Sequence, residues 1–405
     1  MPIDFNPHIS NIAQPYVVRF HHEKFAYNSN KKDVFIKSID PAYEGIEISK
    51  KSFGKIRKTG QKAELYTIKN KNGASVNLSS FGATIVGMKV PDKDGKLVDV
   101  IQGYNSVIPY ELYPVGHAGG TIGPCANKIS NGNFSIGETE YILECNKDKG
   151  KSHSHGGSEG FDVQNWKSRV LRDGIEFTYL KQDRESGYPG NVEAKVTYKL
   201  DNDNNLHVQY QAKTDKETLL NMTNHAYFNL DGASNYQENS ILNHYLKLPN
   251  STKITKINNI GIPNGEFLEV KDTPFDFKNI KRIGDEINSN HEQMKITKGY
   301  DHNYCVDGYN GKDLIEIAEL TSKKTGIQMS VSSNLPGFQL YTANNLGKTT
   351  QPQGKSGYKY EKRSAICIEP QFYPNAINTP NFEEKGVLKP DEEYNREIVY
   401  SFSVR

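Results

Sequence analysis

The stretch VEAKVTYKL (residues 192–200), continued by DNDNN (201–205) and LHVQYQA (206–212), sets the fold class of this chain. Apolar residues occupy every second position on both sides of the polar DNDNN segment. Alternation with a period of two places one face of a strand on a core and the other in water, and a polar segment between two such runs favours a turn. The stretch therefore predicts a β-hairpin.

Similar pieces recur outward from this hairpin. Residues 175–179 and 327–331 alternate in the same way, and Asn72-Gly73 and Asn131-Gly132 stand between apolar runs. Asn-Gly tolerates the positive φ of a tight hairpin turn. No segment carries a helical apolar stripe over three or four turns. Many short strands separated by turn residues predict an all-β sandwich or barrel.

The composition of the chain indicates which binding partners and which compartment to expect. The chain has 405 residues with 50 Lys+Arg against 48 Asp+Glu, a formal net charge of +2. Near-neutral charge supports neither a nucleic acid nor a membrane as partner. No window approaches the ~18 apolar residues of a membrane span, and the first thirty residues lack the apolar core of a signal peptide. The four cysteines are widely spaced, which predicts reduced thiols and the cytoplasm as compartment.

Length alone would allow two or three domains. Residues 1–57 are polar and interrupted by prolines, whereas the period-two pattern dominates from about residue 60 onward. We therefore predict an N-terminal extension of unknown role at 1–57 and a single domain at 58–405.

Motifs for cofactors and metals are weak. The glycine-rich segment GHAGGTIG (116–123) lacks the Lys-Ser/Thr of a phosphate loop and does not lie in a βαβ unit. There is no HExxH motif, and neither His21-His22 nor the pair His153 and His155 has a convincing set of metal ligands beside it. We expect no cofactor and no metal.

Four polar segments are the candidates for chemistry: SHSHGG (152–157), TNHAYFNL (223–230), GYDHNY (299–304) and ICIEPQ (366–371). Each places a titratable group among apolar or aromatic neighbours, where desolvation shifts a pKa. Taken singly, each histidine is more simply explained as a core or turn residue. A glutamate directly after Ile-Cys-Ile is more notable, because burying an unpaired carboxylate is costly.

These segments belong to a longer series in which the chain resembles the aldose 1-epimerase, or galactose mutarotase, family over about residues 60–405. The matching pieces follow the expected order at compatible spacing. They are FGATI (81–85), GPCANKI (123–129), HGG (155–157) followed by GFD (160–162), GYPG (187–190), TNHAYFNL (223–230), TPFDF (273–277), GYDHN (299–303), PGFQLYT (336–342) and EPQ (369–371).

The resemblance implies a large antiparallel β-sandwich with few short helices, which binds a free aldohexose such as galactose or glucose and interconverts its anomers without a cofactor. It implies that Glu369 is the base and His225 the acid, with His155 assisting at the ring oxygen and Asp301 holding sugar hydroxyls. A carboxylate and an imidazole suit this chemistry, because they can exchange roles when the ring closes.

The roles of two further residues stay open. Gln339 and Asn127 are candidates for the sugar cleft, and a structural role fits each equally well.

The chain departs from the family pattern at two places. Lys128 stands where the family has an arginine that contacts the sugar; lysine keeps the charge but lacks the planar fork of donors. We expect mutarotation to be retained, with a change in sugar preference or rate. Ser154 stands where leucine is usual, which leaves open whether His153 joins the site or is a loop residue.

Other functions remain open at this level. A non-catalytic carbohydrate-binding sandwich needs hydroxyl partners but no matched acid and base. An epimerase of the same fold acting on a disaccharide or a hexose phosphate is a further alternative, and phosphate recognition would favour a Lys or Arg cluster at the cleft rim, which the sequence does not locate. A glycosidase using Asp301 and Glu369 is possible in principle, but the two histidines fit ring opening better. The sequence leaves the oligomeric state as monomer or homodimer.

Overall fold

A computed structural model of the chain describes residues 16–18, 40–347 and 350–405. Short strands make up most of its regular structure. In the first half of the chain they are β1 (Tyr16–Val18), β2 (Glu47–Lys55), β3 (Lys62–Lys69), β4 (Ser75–Ser79), β5 (Thr84–Pro91), β6 (Leu97–Asp99), β7 (Ile101–Gln102), β8 (Thr121–Ile122), β9 (Lys128–Ser130), β10 (Asn133–Ile136), β11 (Thr139–Ile142), β12 (Ser152–Ser154), β13 (Lys167–Val170), β14 (Ile175–Lys181) and β15 (Val192–Leu200).

The second half continues the pattern. Its strands are β16 (Asn205–Thr214), β17 (Thr218–Leu219), β18 (Thr223–Asn224), β19 (Tyr227–Phe228), β20 (Tyr245–Lys247), β21 (Lys253–Ile257), β22 (Pro263–Glu269), β23 (Lys281–Arg282), β24 (Asp301–Cys305), β25 (Ile315–Thr321), β26 (Ile327–Ser333), β27 (Gly337–Tyr341), β28 (Cys367–Gln371), β29 (Val387–Leu388) and β30 (Tyr394–Val404).

Helices are few and short in the described part of the chain. The α-helices are α1 (Val107–Leu112) and α2 (Glu292–Thr297). Single 3₁₀ turns occur at Pro41–Tyr43, Pro114–Gly116, Gly157–Glu159, Phe161–Val163, Glu185–Gly187, Ser240–Asn243, Ile283–Asp285 and Ala376–Asn378. The predicted all-β class with few short helices is confirmed.

Three antiparallel sheets carry the architecture. The largest has nine strands in the order β13-β14-β15-β16-β30-β26-β25-β20-β23. A six-stranded sheet runs β1 to β6 in sequence order, and a five-stranded sheet has the order β22-β21-β24-β27-β28. One buried apolar cluster draws side chains from all three, among them Leu78, Val196 and Leu340. Burying a side chain of this size contributes about 1.5–3 kcal/mol, so the shared cluster holds the sheets together.

The predicted hairpin at 192–212 is confirmed. Strands β15 and β16 pair in register from Val192 opposite Thr214 to Leu200 opposite Leu206. The two Asn-Gly pairs differ in outcome. Asn72-Gly73 joins β3 to its partner β4. Asn131-Gly132 adopts positive φ values of 54° and 61°, but it makes no hairpin, because β9 pairs with β12 and β10 pairs with β11. The positive φ expected of Asn131-Gly132 is confirmed, but the pairing of the flanking strands depends on residues elsewhere in the chain.

Two strands within residues 1–57 belong to the six-stranded sheet: β1 pairs with β2, and β2 pairs with β3, with Glu47 opposite Lys69. Most of the predicted extension, residues 1–15 and 19–39, lies outside the described residues. The division of the chain at residue 57 therefore stays a prediction.

Candidate active site

A cleft of about 680 Å³ opens beside the five-stranded sheet. Its lining includes every site residue that the sequence analysis singled out, although they come from distant parts of the chain. These residues are Asn127, Lys128, His155, His225, Asp301, Gln339 and Glu369.

The five-stranded sheet supplies the acidic side of the cleft. Gln339 of β27 lies directly opposite Glu369 of β28, and β24 on its other side begins with Asp301. Facing and diagonal side chains on neighbouring strands lie close enough to interact. Accordingly, Gln339 Nε2 donates a hydrogen bond of 2.6 Å to Asp301 Oδ1. Strand register therefore brings both carboxyl groups to one surface.

His225 faces this surface from the short strand β18, which it follows directly. Its Nε2 lies 3.7 Å from Glu369 Oε1, and its Nδ1 lies 3.5 Å from Cys367 Sγ. Cys367 and Glu369 are two residues apart on β28, so both side chains project from the same face of the strand. The imidazole is thus held between a thiol and a carboxyl group.

Two hydrogen bonds with Asn127 hold His155 in place. The His155 N–H donates to the Asn127 carbonyl at 3.0 Å, and the Asn127 N–H donates to His155 Nδ1 at 3.3 Å. Because Nδ1 accepts, a neutral His155 carries its proton on Nε2. Both residues have left-handed backbones, with φ of 54° and 61°. Such strain persists where surrounding structure enforces it, which often happens at functional sites.

Burial disfavours charge throughout the site. Glu369 is 2% exposed, and burial, followed by the negative charge of Asp301, raises its pKa well above the usual value. Burial lowers the pKa of His225 to about 3 and that of His155 well below its usual value. Burial therefore favours the neutral form of each group, which places the proton shared by the His225–Glu369 pair on Glu369 rather than on His225.

The pKa of Asp301 is also raised above its usual value. Burial is the main cause, and the hydrogen bond from Gln339 and the positive charges of Lys128 and Lys147 oppose it. Such a carboxylate, positioned by an amide, is well suited to accept hydrogen bonds from hydroxyl groups.

Lys128 reaches the cleft wall, but its charge is already engaged. Its Nζ lies 2.9 Å from Asp148 Oδ2 and also donates to the carbonyl of Ile260. The lysine is therefore tied to the rim rather than extended alone into the cleft.

His153 does not line the cleft. It is fully buried, with Nδ1 2.7 Å from the Glu144 carbonyl and Nε2 2.7 Å from the Tyr188 hydroxyl. Both ring nitrogens are occupied, which answers the question that the sequence left open. Its neighbour Ser154 does line the cleft.

The cleft also contains residues that the sequence analysis missed. His117 and Tyr341 contribute rings, and four further lysines line the cavity: Lys147, Lys149, Lys151 and Lys298. His117 belongs to the glycine-rich segment 116–123, which was considered only as a nucleotide motif. A histidine among glycines was the available signal, because small neighbours leave a side chain accessible.

One group of side chains in the described part of the chain comes close to the spacing of a metal site. The ligand atoms of His155, His225 and Glu369 lie within 4.8 Å of one another. Bonds of about 2.0–2.2 Å to zinc require ligand atoms nearer than this limit, so the set would have to contract around an ion. The expectation of a metal-free site stays a prediction. Of the helices described, none is long and apolar enough to cross a membrane.

A buried carboxyl group held against an imidazole in the cleft of an antiparallel β fold is suited to acid–base catalysis. The profile of the family described as aldose 1-epimerase matches residues 64–401. This chain belongs to that family.

Individual relatives agree with the family match. The chain is 34% identical to human galactose mutarotase over 357 residues, which cover 88% of this chain and 99% of the relative. It is 32% identical to the aldose 1-epimerase of Escherichia coli K12 over 347 residues, covering 85% and 96%. Among solved structures, galactose 1-epimerase from Lactobacillus acidophilus superimposes with a TM-score of 0.74 at 27% identity, covering 89% of this chain and 99% of that one.

Proposed function

We propose that this enzyme interconverts the α and β anomers of free aldohexoses such as galactose and glucose, with Glu369 and His225 as the groups that transfer protons. The observation that carries the proposal is the 3.7 Å separation of His225 Nε2 and Glu369 Oε1 inside the cleft. The relatives named as galactose mutarotase and aldose 1-epimerase support the reaction class.

The chemistry needs one group to remove the proton from the anomeric hydroxyl and another to protonate the ring oxygen. The C1–O5 bond then breaks and leaves an open-chain aldehyde. Rotation about C1–C2 presents the other face of the carbonyl, and ring closure reverses both proton transfers. Glu369 acts as the base and His225 as the acid in the opening step. Each well-placed proton transfer contributes about 10²–10⁴-fold.

The pair suits a reversible reaction because it carries one proton in total. Burial favours the distribution in which Glu369 holds that proton and His225 is neutral. Shifting it to His225 creates the carboxylate and imidazolium that the opening step uses, and the net charge of the pair does not change. The two groups can therefore exchange roles between ring opening and ring closure.

The remaining residues position the sugar. His155 offers Nε2 at the ring oxygen, since Asn127 occupies its Nδ1. Asp301, held by Gln339, accepts hydrogen bonds from sugar hydroxyls. In this proposal Asn127 and Gln339 act mainly by positioning His155 and Asp301.

A non-catalytic sugar-binding protein is less well supported. Glu369 Oε2 is buried with no hydrogen-bond partner among the described residues. Leaving a buried polar atom unpaired costs about 1–3 kcal/mol. Sugar binding alone does not require a carboxyl group in that position, whereas proton transfer does.

The test is polarimetry on freshly dissolved α-D-galactose, repeated with glucose, xylose, maltose and glucose 6-phosphate. The phosphorylated sugar is included because lysines line the cleft. Glu369→Gln is the inactive variant, and Glu319→Gln is its matched control, since Glu319 is also buried but lies on β25 in the nine-stranded sheet. Wild-type protein that binds galactose without accelerating its mutarotation would contradict the proposal.

We further propose a cytoplasmic location. The cysteines of the described chain are free, as reduced thiols in the cytoplasm would be. We also propose a role in galactose and hexose metabolism and a monomeric or homodimeric state, which light scattering of the purified protein measures.

A further inference from the structure

His117 is a third histidine of the cleft that the proposed mechanism does not use. Its ring centroid lies 4.7 Å from that of His155 and 5.8 Å from that of His225. The rings of His155 and His225 are 5.5 Å apart. The three imidazoles therefore surround the same part of the cleft.

A buried carboxyl group holds the His117 ring. His117 Nδ1 lies 2.7 Å from Asp162 Oδ2, and the side chains are 15% and 5% exposed. Asp162 is fixed in a 3₁₀ turn that follows Gly160. In the tautomer with Nδ1 protonated, Nδ1 donates this bond to the carboxyl oxygen, and the contact restricts rotation of the ring.

The carboxylate contact determines which nitrogen remains for a ligand. Nδ1 is occupied by Asp162, and within the described residues Nε2 has no hydrogen-bond partner. His117 lines the cleft, and its Nε2 is not buried. Nε2 is therefore open to the cleft, where it can accept a hydrogen bond from a hydroxyl group when the ring is neutral and donate one when it is protonated.

We propose that His117 contacts the bound aldose through Nε2 by a hydrogen bond to one sugar hydroxyl, and that Asp162 is the positioning residue that orients it. The site would then recognise one hydroxyl of the sugar in addition to those near Asp301, and His117 would contribute to the choice among aldoses. This inference rests on the proposed function, because the ligand is the sugar that the enzyme converts.

A purely structural role would have different consequences. His117 has a left-handed backbone with φ of 47°, and its bond to Asp162 also joins the segment after α1 to the turn at 161–163. If that link were the only role, replacing His117 would alter the cleft for every sugar alike. Recognition of one hydroxyl instead predicts a loss that depends on whether the sugar carries that hydroxyl.

The experiment compares wild type with His117→Ala on D-galactose and its 2-, 3-, 4- and 6-deoxy analogues. Loss of one hydrogen bond is expected to lower kcat/KM for galactose about tenfold. For one deoxy sugar, the wild type and the variant should become equal, because the contact is already missing. Adding Asp162→Asn to His117→Ala should lower kcat/KM no further, since Asp162 acts through His117.

The matched control is His207→Gln, which removes another histidine paired with carboxylates on β16, away from the cleft lining. Its kcat/KM should equal that of the wild type. If the wild type is active and His117→Ala lowers kcat/KM equally for all five sugars, or for none, the proposed sugar contact of His117 is wrong. The proposed function is not affected by that result. A wild type that accelerates none of the sugars would instead contradict the proposed function.

Discussion

His225 Nε2 and Glu369 Oε1 lie 3.7 Å apart, slightly beyond hydrogen-bond distance, although both side chains are almost completely buried. Two ionisable groups buried together and not fully bonded lower the stability of the fold. The chain tolerates this because β28 and the segment after β18 fix both groups from opposite sides. A sugar hydroxyl bound beside them can form hydrogen bonds with both groups.

Replacing Glu369 by glutamine keeps the shape of the side chain and removes its ability to exchange a proton. We expect kcat to fall by at least about 10²–10⁴-fold, with a much smaller change in KM, because the amide still occupies the same space. Progress curves from polarimetry give both constants. Full activity of Glu369→Gln would show that the base is another residue.

The pH dependence follows from the proton that the His225–Glu369 pair shares. In acid the pair takes up a second proton. The acidic limb of the pH profile of kcat/KM lies at low pH, because burial reduces the pKa of His225 to about 3. In alkali the pair loses its last proton, and that limb is displaced upward because burial raises the pKa of Glu369. We therefore expect kcat/KM to fall in acid and in alkali, with macroscopic pKa values that belong to the pair and an acidic limb below the pKa of a free imidazole. An acidic limb at the pKa of a free imidazole would contradict this assignment.

Asp301 allows a directional test of the same coupling. Its negative charge is the second cause, after burial, of the raised pKa of Glu369. Asp301→Asn removes that charge, so the pKa of Glu369 should fall and the alkaline limb should move to lower pH. KM for galactose should rise as well, since a hydroxyl acceptor is weakened. If the limb stays in place while KM rises, Asp301 binds sugar without acting on Glu369.

Lys128 is expected to tolerate exchange for arginine. Its ammonium group is bound by Asp148 and by the Ile260 carbonyl, so its direct contribution to the sugar is limited. We expect Lys128→Arg to keep kcat/KM for galactose within about tenfold of wild type, because one altered hydrogen bond has about that effect. Steady-state kinetics on galactose and glucose measure it. An inactive wild type that gains activity on this substitution would show that the planar fork of arginine is essential.

The sequence predicted local structure well and long-range pairing poorly. The 192–212 hairpin follows from alternation and a polar turn, both of which are local. The pairing of β16 with β30 joins Leu206 to Tyr400, and nothing in either segment specifies the other. The same limit explains Asn131-Gly132, whose turn was expected but whose flanking strands pair elsewhere.

The residues of the candidate site were predicted from the family motifs and not from the predicted strands. The family resemblance assigns Asp301 and Glu369 to the sugar site and leaves the role of Gln339 open. The register of β24, β27 and β28 is the physical reason why these three side chains lie together. His117 was missed because its partner Asp162 is 45 residues away, and a single histidine among glycines carries no motif.

The last prediction concerns stability and lies on the nine-stranded sheet, where His207 of β16 contacts two carboxylates. Its Nδ1 is 3.0 Å from Glu397 Oε1 and its Nε2 is 3.4 Å from Asp201 Oδ2. Hydrogen bonds, first to Asp201 and then to Glu397, raise the pKa of His207 from its ordinary value of 6.5 to about 9. The folded state therefore holds this proton more tightly than the unfolded chain does.

The sign of the effect follows from that difference. A raised histidine pKa contributes stability that is fully present below pH 6.5 and is lost as pH rises through about 9. With a side chain 28% exposed, solvent reduces the contribution to roughly 1–2 kcal/mol. Urea unfolding of wild type and His207→Gln should differ by this amount at pH 6 and converge near pH 10. An equal difference at both pH values would mean that packing of the ring, rather than its charge, stabilises the sheet at this position.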